Sequence, residues 1–484
     1  LNMGPETIIG QIRPVITSAE INRAIHAKKS FAAAWDSQFG SWEYQAVMNK
    51  EKGTEIIIDW EDDTSVRMSA AQLYDVVFDG NKKWMLSANG TLFTYEYEAI
   101  IPGLLKRWYE ERQEMQRKMR ECGDNEIERE YWDKRQLVKK INLNSLYGAI
   151  LNPGCRFFDI RIGQSVTLTG RCITQHMASK VNETVTGEYD HKGESIVYGD
   201  TDSVYFSAFK TLQKEIKEGL IPWTKDSVVG LYDKIADEVN GSFKSFMTKA
   251  FHTPASRGEV IAAGRELVAS KGLFITKKRY AVLYYDKEGK RADVDGKDGK
   301  MKAMGLDLKR SDTPVFVQDF LSEVLYMVLQ GKDEKIVLDR ISEFRAEFKA
   351  MPGWEKGSPK RANNMTKYQA AEVAKGRANM PGHVRASMNW NRCRDMYGDK
   401  YSMPILDGAK VIVCKLKNNP MGYTSIAYPV DEMRIPEWFK ELPFDGDAME
   451  TGILDQKLDN LIGVLNWDVQ STETSNTFNK LFEF

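Results

Sequence analysis

The stretch Ser195-Ile-Val-Tyr-Gly-Asp-Thr-Asp-Ser-Val-Tyr-Phe206 constrains the fold more than any other part of the chain. Its flanks, Ile196 to Tyr198 and Val204 to Phe206, are β-branched or aromatic and read as two short strands. Between them, Gly199-Asp-Thr-Asp-Ser203 reads as a tight turn opened by glycine. A chain that carries this stretch has to build a hairpin whose end presents Asp200 and Asp202 side by side. Like charges at that spacing repel unless a cation neutralises them. A hard divalent ion suits the pair, because Mg²⁺ takes one or two protein carboxylates and completes its shell with phosphates and water. From these residues alone two readings stand: a metal site for phosphoryl transfer, and a polar turn built from ordinary turn residues.

Elsewhere the periodicity sets out long helices. From Pro102, Leu104, Leu105, Trp108, Met115 and Met119 recur at helical spacing as one apolar stripe, which Cys122-Gly-Asp-Asn125 breaks. A second helix is predicted over about 126–150, and the two make an antiparallel helical hairpin. Further helices are predicted over 163–183 and 225–251 and, beyond Pro314, over 315–329 and 333–351, with the chain helical from there on. Strands are predicted over 54–60 and 73–78. The acidic run Asp59, Glu61, Asp62, Asp63 reads as a solvated loop, and His176 as a packed histidine with no second ligand on its face. At 484 residues the chain has room for several lobes, and its 11% aromatic content excludes a disordered polymer. No apolar run reaches membrane-spanning length. Five scattered cysteines, with no CxxC pair, point to a reducing compartment and away from a cysteine zinc site. Net charge is −1, but basic residues cluster at 117–118, 277–279, 302–310 and 356–377 while acidic ones gather at 437–459, a distribution suited to one nucleic-acid-facing groove, although any single cluster reads first as solvated charge.

Two motifs carry a resemblance. Tyr198-Gly-Asp-Thr-Asp-Ser203 resembles the third polymerase motif of family B DNA polymerases, and Lys139-Lys-Ile-Asn-Leu-Asn-Ser-Leu-Tyr-Gly148 resembles their second, in the same order and spacing. The likeness is to the T-even bacteriophage type and runs over nearly the whole chain. It implies an α+β, right-hand architecture: palm over 1–98 and 151–312 with an antiparallel sheet and the catalytic hairpin, two-helix fingers over 99–150, a mostly helical thumb over 313–470, and a tail over 471–484. It implies template-directed nucleotidyl transfer with two Mg²⁺ ions, in the cytoplasm of an infected bacterial host, with primer-template DNA, dNTPs and a sliding clamp as partners and no membrane. The family's first motif, Asp-x-x-Ser-Leu-Tyr-Pro-Ser, has no counterpart here. The resemblance therefore implies either a fragment of a longer chain or one half of a split polymerase, whose separate N-terminal piece supplies that aspartate and the exonuclease. The other reading is a non-catalytic half that binds DNA and clamp; a nuclease is a third.

The resemblance also distributes roles. Asp200 and Asp202 are the implied metal ligands, with Glu266 as a further one, in a strand where the phage pattern has an acid at the position of Gly264. Lys140, Asn144 and Tyr147 share a helix face by their i, i+4, i+7 spacing. With Arg112 they form the implied dNTP-binding set, and Gln116 stands where the phage enzymes carry a second cation. The segment Phe274-Ile-Thr-Lys-Lys-Arg-Tyr280 supplies Lys277, Lys278, Arg279 and Tyr280 for the primer, and strand alternation predicts Lys278 and Tyr280 on one face. Lys302, Lys309 and Arg310 extend the implied DNA contact. In the tail, Phe478, Leu481, Phe482 and Phe484 are the implied clamp-binding residues.

Overall fold

The computed structural model describes residues 2–14, 55–69, 72–73, 75–79, 83–369, 380–469 and 472. They fall into two units, Leu1–Arg265 and Glu266–Phe484, and the division lies inside the predicted palm segment 151–312. The clamp-binding residues Phe478, Leu481, Phe482 and Phe484 lie outside the described residues.

In the first unit, alternating apolar residues build an antiparallel sheet. Its strands are β1 (Ile8–Pro14), β2 (Glu55–Trp60), β3 (Ser65–Ser69), β4 (Trp84–Leu86) and β5 (Thr91–Thr94), in the order β3-β2-β1-β5-β4. Ile56 and Ile58, two residues apart and fully buried, point to the same core. That core is closed by two helices of the unit, α3 (Ile160–Thr186) and α4 (Lys225–Phe251), through Cys172, Phe246, Met247 and Phe251. The stretch 73–78 is not the strand that its composition suggests. Leu73 and Val77 are both fully buried in that core, and Asp75–Asp79 winds as a π-helical turn.

The helical hairpin consists of α1 (Ile100–Glu121) and α2 (Glu126–Ile150), joined at Gly123, whose φ is +54°, and capped by Asn125, which accepts from Glu128 N–H. Each helix has one buried residue, Ile101 and Ile150, and these meet Met3, Ile8, Met85, Phe93 and Ile162 in a small cluster at the base. Beyond the base, polar contacts join the helices: an ion pair between Lys139 and Glu111, Lys139 over the Trp108 ring, and Lys118 4.7 Å above the Trp132 ring. Of the acidic run at 59–63, Asp59 lies in β2, and the rest is the solvated β2–β3 turn that the sequence suggests: Glu61, Asp62 and Asp63 are exposed, and Glu61 pairs with Arg161.

In the second unit, β8 (Leu267–Thr276), β9 (Arg279–Lys287), β10 (Lys290–Arg291) and β11 (Lys300–Met304) form one antiparallel sheet with β9 central. Helices α5 (Val315–Gln330) and α6 (Glu334–Ala350) pack on it, matching the sequence spans to within a residue or two. The chain does not stay helical after them. β12 (Ser358–Arg361), β13 (Lys410–Lys415) and β14 (Ser425–Pro429) make a second sheet, and α7 (Gly382–Met396) buries Trp390 against it. Arg345 on α6 is 2% exposed and is satisfied by Glu450 at 2.9 Å, Asp455 at 2.6 Å and the Thr472 hydroxyl at 2.9 Å. A buried ion loses most when one partner is removed. Arg345→Ala should therefore lower the unfolding free energy of this unit by about 3–5 kcal/mol in denaturant titration.

His176 on α3 is packed, as its sequence context suggests. Its ring stacks on Phe246 at 3.9 Å and its nitrogens meet Tyr189 Oη at 2.7 Å and Ser242 Oγ at 2.9 Å. Burial, reinforced by Lys180, pushes its pKa from 6.5 down to about 4. The fold thus favours neutral imidazole, so this contribution is complete above pH 6.5 and is lost as pH falls toward 4. Thermal melts should show stability falling across that window, and His176→Gln should flatten the fall.

Candidate functional site

The carboxylate hairpin forms as the sequence requires. β6 (Ile196–Asp200) and β7 (Ser203–Phe206) pair antiparallel, with Asp200 opposite Ser203 and Thr201-Asp202 as the two-residue turn. Thr201 has φ +50°, and Asp202 N–H donates back to Asp200 O at 2.6 Å. Ser203 Oγ donates to the same carbonyl at 3.2 Å, and Thr201 Oγ1 donates to Asp200 Oδ1 at 3.1 Å. Asp202 is exposed at the tip.

Helix α3 holds this hairpin at both ends. At its entry, Asn182 Oδ1 accepts from Ser195 N–H and Oγ at 3.2 and 2.8 Å, while its Nδ2 donates to Glu188 O at 2.8 Å. At its tip, Thr174 Oγ1 donates to Thr201 O at 2.7 Å. Neither residue stands out in sequence. Asn182 reads as one more polar helix position, and only its 1% exposure shows that its amide is committed.

On α2, Lys140 and Asn144 are exposed and Tyr147 is half-buried, on the shared face that their spacing sets. The Tyr147 hydroxyl donates to Gly163 O of α3 at 3.2 Å, which fixes the ring. Arg112 comes from α1 to the same flank: its Nε donates to Gln136 Oε1 at 3.2 Å, one helical turn before Lys140. Gln136 in turn donates from Nε2 to Asp133 Oδ1 at 2.9 Å, which sets the amide so that its oxygen faces the guanidinium. Helix spacing alone, four residues before Lys140, was the signal for Gln136.

The second unit gathers the remaining candidates. Lys277 and Lys278 form the β8–β9 turn and are exposed, with Lys278 at φ +63°. Tyr280 does not share their face: it lies in β9, 8% exposed, with its ring 5.5 Å from Phe274. The turn breaks strand alternation between Lys278 and Tyr280, which is why the single-face expectation fails. Arg279 donates to Asn460 O at 3.2 Å. Lys302 pairs with Glu266 at 2.8 Å, so the structure joins an implied DNA contact to an implied metal ligand. Lys309 is exposed, and Arg310 bonds Asp312 at 3.0 Å. Arg310, with Lys360, holds the Asp312 carboxyl well below the usual carboxylate range.

Among the described residues, no group of three or more His, Cys, Asp or Glu side chains is gathered closely enough to hold a metal ion by itself. The turn offers two hard oxygen donors, Asp200 and Asp202. That set fits a divalent cation that draws the rest of its shell from substrate phosphates and water, as Mg²⁺ does.

The helical hairpin and the strand pair that ends in two aspartates are thus both tied to α3 in the first unit, through Tyr147 and Thr201. The chain belongs to DNA polymerase family B, whose model matches residues 57–248 and 259–381. It is 33% identical over 307 residues to the DNA-directed DNA polymerase of Escherichia phage RB69, covering 61% of this chain and 33% of that protein. The DNA-directed DNA polymerase of Enterobacteria phage T4 is 32% identical over the same length, 61% of this chain and 33% of the relative. The DNA polymerase delta catalytic subunit of Oryza sativa subsp. japonica is 28% identical over 239 residues, 49% of this chain and 18% of that subunit. The match to the phage relatives thus spans about a third of their length.

Gly305 escaped the sequence reading although it lies between Lys302 and Lys309. Its φ is +64°, and a Cβ there would sit 2.0 Å from Lys278 O. Only glycine lets the strand end close under the lysine turn. Gly305→Ala should cost about 1–3 kcal/mol, read as a lowered melting temperature, and should increase protease nicking at Lys277 and Lys278.

Proposed function

We propose that this chain is the polymerising part of a template-directed DNA polymerase of the phage type. One observation carries the reading. The Tyr147 hydroxyl and the Thr201 carbonyl both dock on α3, at Gly163 and Thr174. Those positions are eleven residues apart, hence on one face of the helix and roughly 16 Å apart along its axis. The nucleotide-binding face and the carboxylate turn are therefore registered on one rigid element of one unit.

In this reading a primer 3′-hydroxyl attacks the α-phosphorus of a dNTP, the bond to the bridging oxygen breaks, and pyrophosphate leaves. Asp200 and Asp202 would hold two Mg²⁺ ions, which when bound would make the hydroxyl a better nucleophile and neutralise charge on the triphosphate and leaving oxygens. Lys140 and Arg112 neutralise the triphosphate, Arg112 with its Nε bond to Gln136 leaving the Nη nitrogens to donate. Asn144 lies on the same face. The fixed Tyr147 ring forms a wall for the nascent base pair, whose shape the fingers over 99–150 select on closing. Palm segments occupy 1–98 and 151–312.

In the second unit, Lys277, Lys278 and Arg279 hold the primer backbone through phosphate contacts. Lys302, Lys309 and Arg310 extend that grip, Tyr280 supports the turn by packing, and 313–470 acts as the thumb. Glu266 serves as a further metal ligand only where Lys302 gives it up. The protein acts in the cytoplasm of an infected bacterium, with a separate N-terminal polymerase and exonuclease piece, and its tail docks on a sliding clamp. The second reading, a DNA-binding half that is not catalytic alone, has in its favour that the turn aspartates gather no third ligand among the described residues.

Primer extension by the chain alone and with a candidate N-terminal piece tests these readings. Extension abolished by Asp202→Asn is the expected result. DNA binding without extension in either mixture would favour the accessory half. Where extension occurs, Lys140→Ala should raise the KM for dNTP by about tenfold or more, the loss of one charge-assisted hydrogen bond.

A further inference from the structure

Thr201 is a β-branched residue at φ +50°, where such a side chain is an outlier. The Asp202 N–H to Asp200 O bond of 2.6 Å closes a γ-turn across it, and γ-turns at positive φ are rare and strained. Strain of this kind persists only where the surroundings over-determine it. Helix α3 supplies that constraint through the Thr174 hydroxyl, 2.7 Å from Thr201 O. The same oxygen lies 3.0 Å from Gly170 O, one turn back in its own helix. A hydroxyl carries one hydrogen, so two carbonyls compete for it, and the shorter contact is to the turn.

We propose that Thr174 is a positioning residue for the carboxylate turn: its hydrogen bond to the Thr201 carbonyl holds Asp200 and Asp202 at the spacing that captures a divalent cation. Thr174 touches neither cation nor substrate; it acts through Thr201. Turning the hydroxyl back to Gly170 satisfies the helix and frees the turn, so the bond works as a latch. Asn182 anchors only the entry of the hairpin and leaves its tip to Thr174. The inference rests on reading the turn as a cation site.

The test uses the full chain, Mn²⁺ as the probe and water-proton relaxation enhancement as the readout, with a thermal melt of every variant. Asp202→Asn tests the cation reading itself. Thr174→Val removes the hydroxyl at nearly constant shape, and Thr174→Ser keeps it. The expected result is Mn²⁺ binding weakened about fivefold by T174V, the equivalent of one neutral hydrogen bond, with T174S close to the unmodified chain and both variants melting cooperatively. T174V binding Mn²⁺ like the unmodified chain, or T174S weakened as much as T174V, would overturn the role of the hydroxyl while D202N still reports a cation site. Mn²⁺ binding unchanged by D202N would overturn the cation reading and the inference with it.

Discussion

The first unit depends on one helix being satisfied on several sides at once. α3 runs 27 residues, roughly 40 Å. It puts Ile162 into the cluster that seats the helical hairpin, Cys172 into the core under the sheet, and Val181 into the contact with α4. Its buried polar residues are bonded outward to loops. Ser165 Oγ lies 2.8 Å from Asn89 Oδ1, Thr169 Oγ1 accepts from Ala88 N–H at 3.1 Å, and Asn182 takes the entry of the carboxylate hairpin, whose tip the half-buried Thr174 reaches. An unbonded polar group at such depth would cost more than a bonded one contributes. Each of these bonds thus removes alternatives for the loop that it meets, and the site geometry follows from the helix.

The second unit is organised by charge. Three of its basic residues have acidic neighbours: Lys302 with Glu266, Arg310 and Lys360 with Asp312. Partly exposed pairs of this kind contribute little to stability and are screened by salt. A polyanion can exchange for the carboxylates at small cost, and the surface stays nearly neutral without it. This is how a chain of net charge −1 can present a basic face on demand.

What could be read from the sequence was what depends on neighbours along the chain. The hairpin at 196–206, both long helices of the 100–150 hairpin, α4, α5 and α6 follow from local periodicity and turn chemistry, and the structure has them within a few residues. Lys140, Asn144 and Tyr147 share a flank because helix spacing alone requires it. What failed depended on contacts distant in sequence. The π-helical turn at Asp75–Asp79 arises because Leu73 and Val77 face one core, and the burial of Tyr280 follows from a turn that resets strand alternation. The commitments of Thr174 and Gln136 are set by partners 27 and 24 residues away, and that of Asn182 by Ser195, 13 residues on, and a polar helix position does not reveal them.

The helical hairpin has one further consequence. Each of its helices is 22 or 25 residues long, yet each buries a single side chain, and both of those lie in the cluster at the base. Mechanically it is a lever: stiff along its length, because backbone hydrogen bonds need no core, and fixed only at its fulcrum. Amide exchange should run as a gradient, fast near Gly123 and slow toward Ile101 and Ile150, since local opening costs least where burial is least. A few degrees of rotation at the fulcrum would sweep Arg112 and Lys140 through a larger arc than the residues beside Ile150, without breaking any core.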